Sequence, residues 1–348
     1  MVKILKYTPR YYEPFDGSVH YLCLNASDTC NYRCMKCMQS ESIKIRPTIE
    51  PINVCDLLTR AKKELGIKTI YLSGSGETFL VGNGNTQIKL ENYKKLIRQA
   101  YELDIAIVQF TNGYYLTEEM VEYLSDFDVS LVVSIDTLNP EKYSRLTNTG
   151  IEVFDKVMDN IKYARKKLPV VNSGEKRLYR LGVNMAISNV CEEDIDSVKS
   201  FCGDDIIFFS NYPLIKGSFK ENIEYMCAGE DELEKFKQLC SKTSTYQGLA
   251  GVTTDGVCGF LKYGLTIDFD GKVLICPYDT NTGLLFGNIS DYESMHDAFK
   301  IVQDKLTNFA EGKQNAMYCP LRHAEYDSFF DNDISNVLRT FAISTSQC

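Results

Sequence analysis

The run Cys30-Asn-Tyr-Arg-Cys34-Met-Lys-Cys37 constrains this chain more than any other stretch. Three thiolates separated by three and two residues can grip one metal centre from a single loop, and soft ligands of this kind suit iron–sulfur clusters or zinc. Three is the informative number. A cubane iron–sulfur cluster held by three cysteines keeps one iron without a protein ligand, so that iron can take a substrate or cofactor. A structural zinc site needs a fourth ligand close by. The nearest further thiols are Cys23, on an expected strand, and Cys55, on an expected helix.

Cysteine usage beyond that loop bears on the compartment. The 348 residues include 13 cysteines, an odd count that argues against a complete disulfide framework. The N-terminal residues Met-Val-Lys-Ile-Leu-Lys-Tyr-Thr-Pro-Arg lack the apolar core of a signal peptide. Cytoplasmic residence is the expectation, and without an apolar run of about eighteen residues no membrane partner is expected. The net charge of −9 disfavours nucleic acid as a partner, which would require clustered cations. The short basic runs Lys62-Lys63 and Arg165-Lys166-Lys167 read as solvated helix faces.

Along the chain, short β-prone runs alternate with helical periodicity. Strands are expected at His20–Leu24, Thr69–Leu72, Ile105–Phe110, Val129–Ile135, Leu181–Ile187 and Ile206–Phe209. Helices are expected at Ile52–Leu65, Leu90–Leu103, Thr117–Leu124, Val153–Lys167 and Glu192–Phe201, with a less definite sixth before Ser218. Six such units imply right-handed crossovers and a parallel sheet with helices outside, short of the eight of a closed barrel. Beyond them a polar helix is expected over Asp231–Thr243 and a hairpin at Leu265–Phe269 and Lys272–Ile275, turning at Asp270-Gly271. A last helix is expected over 292–307.

The cysteine spacing, at the end of the first strand, resembles the signature of the radical S-adenosylmethionine (SAM) superfamily. The resemblance implies an α/β fold, a partial (β/α)6 TIM-like barrel. It also implies a [4Fe-4S] cluster on Cys30, Cys34 and Cys37 whose open iron chelates SAM, and a 5′-deoxyadenosyl radical formed by one-electron cleavage. The electron would come from an external donor of flavodoxin or ferredoxin type. The position before the third cysteine is usually aromatic in that family and packs near the adenine; here it is Lys36. Gly74-Ser-Gly76-Glu77-Thr78 resembles the family's Gly-Gly-Glu-Pro motif, with Ser75 and Thr78 as departures. Its backbone carbonyls or Glu77 would receive the SAM ammonium. Ser134 and Arg145 resemble the serine and arginine that meet the SAM carboxylate and ribose in some members. Asn184 and Leu214 would border the adenosine. For Asp136 and Arg145 the structural alternatives are a helix cap and a surface ion pair.

A second cysteine set follows. Cys258, then twelve residues to Gly271, then Cys276 after four more, and Cys319 resemble the start of the SPASM domain and its shortened twitch form. The implied division is a barrel at 1–218, a helical bridge at 219–250 and a twitch-like domain at 251–348 carrying an auxiliary [4Fe-4S] cluster. Its fourth ligand is Cys348, His323 or an open site; a zinc hairpin is the alternative. Cys227 is the candidate hydrogen-atom donor, and Asp279 the candidate base, displaced from the family's usual place by Pro277. The resemblance implies a ribosomally made peptide as substrate, or a small polar sugar or aminocyclitol. The 29 residues before Cys30 are too few for a leader-gripping domain, which counts toward the second. The alternative of another class is an iron–sulfur protein that only transfers electrons.

Overall fold

The computed structural model describes residues 19, 21–38, 52–74, 76–173, 176–211, 217–227, 263–277 and 286–310. The chain opens with β1 (Tyr21–Leu24), followed after the cysteine loop by α1 (Val54–Leu65). Then come β2 (Thr69–Leu72), α2 (Thr86–Glu102), β3 (Ala106–Thr111), α3 (Glu118–Ser125) and β4 (Val129–Ser134). Two helices follow, α4 (Pro140–Thr147) and α5 (Ile151–Lys167), then a small hairpin, β5 (Val171–Ser173) and β6 (Lys176–Leu178). The series continues with β7 (Leu181–Ala186), α6 (Ile195–Cys202), β8 (Ile207–Asn211), α7 (Gly217–Glu221) and α8 (Ile223–Met226). Strands β9 (Gly264–Ile267) and β10 (Val273–Leu274) and helix α9 (Met295–Ala310) complete the described chain.

Six strands, β1, β2, β3, β4, β7 and β8, pair in parallel in that order. The expected alternation therefore stands. Parallel strands covered on both faces should be apolar throughout. In β4, Val129, Leu131, Val132 and Val133 are all buried. Each such side chain withdraws apolar surface worth roughly 1.5–3 kcal/mol.

Beyond small shifts of element ends and the unexpected β5–β6 hairpin, three differences from the sequence expectation bear on the frame of the sheet. Helix α2 starts four residues early because the Asn85 side chain accepts from the Ile88 N–H at 3.0 Å and closes the first turn. Helix α4 was not anticipated, although Asn139 caps it and Pro140 sits in its first turn. The C-terminal hairpin forms as β9 against β10, antiparallel, but β9 also lies parallel to β1, Tyr21 facing Gly264. A strand assigned to the C-terminal segment thus extends the barrel's own sheet. Gly264 permits it: a β-carbon there would stand 2.1 Å from the Tyr21 ring. Arg60 and Glu64 of α1 fasten the same segment. Arg60 donates to the carbonyls of Ile289 at 3.0 Å and Tyr292 at 3.1 Å, and Glu64 accepts from the Met295 N–H at 2.6 Å. The expected helix at Asp231–Thr243 lies outside the described residues. No helix among the described residues is long and apolar enough to cross a membrane.

Candidate active site

A cavity of about 210 Å³ opens where the parallel strands end, against roughly 10–15 Å³ for a single ordered water. Its wall draws on the cysteine loop and on the C-terminal ends of β2, β3, β4 and β7. Ligands collect at this end of a parallel sheet because the crossover loops converge there.

The cysteine loop is held by backbone pairing with the end of α4. Met35 N–H donates to Leu146 O at 2.8 Å and Arg33 N–H to Thr147 O at 3.4 Å. The Tyr32 and Tyr143 hydroxyls lie 3.3 Å apart beneath it. Arg33 turns back onto the carbonyls of Cys30 and Tyr32, each at 2.8 Å. Cys30, Cys34 and Cys37 all line the cavity. Burial pushes the Cys30 thiol up to about 12, with the nearby Glu77 carboxylate adding to it, and burial raises Cys34 as well. No three His, Cys, Asp or Glu side chains among the described residues converge as a single-ion site. The three thiols share one cavity, and three thiolates suit an iron–sulfur cluster that keeps one iron open.

The segment after β2 packs tightly under the loop. A β-carbon on Gly76 would meet the Ser27 hydroxyl and the Thr29 carbonyl, each at 2.6 Å, so only glycine fits. Gly74 has φ +119°, and a β-carbon there would lie 2.0 Å from Asn25 Oδ1. The Glu77 carboxylate is turned into the protein. It accepts from the Thr111 hydroxyl at 2.6 Å, the Asn112 N–H at 2.9 Å and the Phe79 N–H at 3.4 Å. Burial pushes its pKa up to about 7 despite these donors. With both oxygens engaged by Thr111, Asn112 and Phe79, Glu77 braces the end of β3. Thr78, in the place of the family's proline, donates to Phe110 O at 2.6 Å and accepts from Gln109 Nε2 at 3.0 Å.

Ser134 and Asn184 face each other across the β4–β7 register and both line the cavity. Asn184 is 8% exposed and its Oδ1 has no hydrogen-bond partner among the described residues. A buried amide oxygen left so is costly unless a ligand group satisfies it, which suits a nucleoside at this wall. Lys36 also lines the cavity, but as an ion pair with Asp136. Asp136 is therefore not the cap of the following helix; Asn139 is.

Arg145 does not reach the described wall. Its guanidinium stacks on the Tyr225 ring at 4.1 Å, and among the described residues it neither lines the cavity nor forms an ion pair. Cys227, 2% exposed at the end of α8, is likewise absent from the wall. Cys276 is buried just after β10, and the next residue's carbonyl, of Pro277, accepts from Asn25 Nδ2 at 3.5 Å. Leu214, Cys258, Asp279, Cys319, His323 and Cys348 lie outside the described residues. Sequence reading missed Tyr32, Thr111, Asn112 and Ala186 as wall residues. Tyr32 lies within the cysteine loop, Thr111 and Ala186 end β3 and β7, and Asn112 follows β3; those positions were the available signal, most plainly Thr111-Asn112-Gly113.

Residues 24–174 match the family described as the radical SAM superfamily. A GTP 3′,8-cyclase of Aliarcobacter butzleri is 30% identical over 193 residues, covering 54% of this chain and 53% of the relative. One from Peptoclostridium acidaminophilum is 25% identical over 315 residues, covering 83% and 89%. The chain thus spans about half the length of several curated relatives it matches. Among solved structures, Streptococcus suis SuiB bound to the precursor peptide SuiA superposes with a TM-score of 0.52 at 16% identity, over 81% of this chain and 65% of that one. A structure of anSMEcpe with bound AdoMet gives 0.51 at 16%, over 92% and 98%. Both likenesses establish the fold. The cysteine loop, the parallel sheet and the matched segment agree: through residues 24–174 the chain is similar to the radical SAM superfamily.

Proposed function

We propose that the protein cleaves SAM reductively and uses the product to abstract a hydrogen atom from an unactivated carbon, most consistently in a ribosomally made peptide. The observation that carries this reading is the convergence of Cys30, Cys34 and Cys37 on one cavity that Asn184 also lines, its amide oxygen unpaired among the described residues. Bound there, the cluster and SAM would supply a 5′-deoxyadenosyl radical. The chain's part is to hold the thiol loop by α4, to present backbone carbonyls after β2, and to shield the site from water. An external flavodoxin- or ferredoxin-type protein would deliver the electron. An auxiliary cluster on Cys258, Cys276 and Cys319, with Cys348, His323 or the substrate in its fourth position, would relay an electron or hold the substrate.

Peptide substrates are favoured by likeness in fold to proteins whose structures hold peptides, SuiB with SuiA and anSMEcpe with the Cp18Cys peptide. The sequence relatives favour a nucleotide, since they are named for cyclising GTP. A sugar or aminocyclitol is the neutral alternative. The test incubates anaerobically reconstituted protein with SAM and dithionite, then adds precursor peptides, GTP or aminocyclitols in turn. 5′-Deoxyadenosine without added substrate supports the SAM reading, and a mass change confined to peptide supports the substrate. Fully iron-loaded protein that leaves SAM intact would place the chain among electron-transfer proteins.

A further inference from the structure

We propose that Lys36 and Asp136 form a positioning pair for the cofactor: Asp136 fixes the Lys36 ammonium where the thiol loop meets β4 and β7, and Lys36 offers its remaining N–H donors to the nucleoside part of SAM. This rests on the SAM reading above. It departs from the aromatic packing that the family resemblance implies at this position.

Four observations lead there. Lys36 stands between Cys34 and Cys37, lines the cavity, and has a side chain only 15% exposed. Asp136, 4% exposed, uses its two oxygens differently. Oδ2 holds Lys36, and Oδ1 accepts from the Ala186 N–H at 2.9 Å. Ala186 lines the same cavity, so the carboxylate joins the loop to the end of β7 across the Ser134–Asn184 register. Asn184 Oδ1 supplies an unpaired acceptor on the same wall. Lysine carries three donors, and the pair with Asp136 engages one. The wall thus offers a cationic donor and a buried acceptor together, complementary to a nucleoside that bears both kinds of group.

The pair is an expensive way to fill the space. Burial penalises both charges, and a well-packed apolar residue is commonly as stable as a buried ion pair. Packing alone gives no reason for lysine here. A need to orient a polar ligand and to fix the loop that carries the thiols does. Lysine, unlike an aromatic ring, cannot stack broadly on a base, so its contribution depends on where Asp136 holds it.

The experiment uses the full chain, reconstituted anaerobically, as wild type, Lys36→Met, Lys36→Arg, Asp136→Asn and the Lys36→Met/Asp136→Asn double variant. Iron per chain, thermal midpoint and the dissociation constant for SAM by equilibrium dialysis are measured for each. We expect Lys36→Met and Asp136→Asn each to weaken SAM binding by about tenfold or more at unchanged iron content. The double variant should be no weaker than the worse single one, because the residues act as a unit. Lys36→Arg should recover most of the affinity. The electron paramagnetic resonance spectrum of the reduced cluster should need correspondingly more SAM to change. A lowered midpoint with SAM affinity within about twofold of wild type in both single variants would overturn the proposal and leave a merely structural pair. Should Lys36→Met lose iron, Asp136→Glu carries the same test, since it keeps the charge and displaces it. Weaker SAM binding at full iron then supports the pair, and unchanged affinity overturns it. Wild-type protein with full iron that takes up no SAM would instead overturn the SAM reading, and this inference with it.

Discussion

Replacing Glu77 with glutamine should remove a specific pH dependence from the stability of the cluster-free protein. The Glu77 carboxylate is 2% exposed, and burial raises its pKa from the ordinary 4.5 to about 7. The sign follows from linkage. The folded state holds the proton more tightly than the unfolded state, so the contribution is fully present below about 4.5 and is lost as pH rises through about 7. At about 1.4 kcal/mol per pH unit, the interval from 4.5 to about 7 corresponds to roughly 3 kcal/mol. Glutamine does not titrate and can keep both main contacts. Its oxygen accepts from the Asn112 N–H, and its amide nitrogen donates to the Thr111 hydroxyl, which can turn to accept. Urea unfolding followed by tyrosine fluorescence, which suits a chain with 22 tyrosines and no tryptophan, would be run from pH 4.5 to 8 on both proteins. The variant should gain on the wild type by roughly 3 kcal/mol across that range. Parallel curves would refute the assignment of a buried, destabilised carboxylate at the end of β3.

Other substitutions test the frame around the cavity. Gly74→Ala should cost about 1–3 kcal/mol and weaken SAM binding, since it forces a left-handed residue into the Asn25 side chain; wild-type-like thermal unfolding would count against this. Arg180→Met should cost about 3 kcal/mol, because the buried guanidinium donates to the carbonyls of Leu124 at 2.9 Å, Ser125 at 3.1 Å and Phe127 at 2.7 Å where α3 ends. Urea midpoints measure that loss. Arg60→Ala should cost about 1–2 kcal/mol, and limited proteolysis should then cut between β10 and α9 faster if Arg60 anchors Ile289 and Tyr292.

The sheet was readable from the sequence because burial on both faces writes itself as apolar runs: Thr69–Leu72 came out with both ends correct. Helix ends were readable where a cap had a plain signal, as at Thr117, whose side chain accepts from the Met120 N–H. Helix α4 escaped because its eight residues are too few to show a clear period, although Asn139-Pro140 announces its start. The partnership of β9 with β1 could not be read at all. Pairing between strands some 240 residues apart leaves no local trace, and Gly264 looks like any loop glycine until the Tyr21 ring lies over it. The thiols of the site were legible as a motif. The polar brace was not: Glu77 with Thr111 and Asn112, and Lys36 with Asp136, join residues from separate strand ends. Their functional meaning lies in contacts that spacing along the chain does not encode.

Iron content tests the central claim most directly. The reconstituted wild type and a variant with Cys30, Cys34 and Cys37 all changed to alanine would be compared for iron per chain, alongside 5′-deoxyadenosine formed from SAM and dithionite. Two cubane clusters predict about eight irons falling to about four, with 5′-deoxyadenosine lost. A fall from about four to none would keep the SAM cluster and remove the auxiliary one. Iron unchanged by the triple substitution, or 5′-deoxyadenosine still formed without those thiols, would contradict the account.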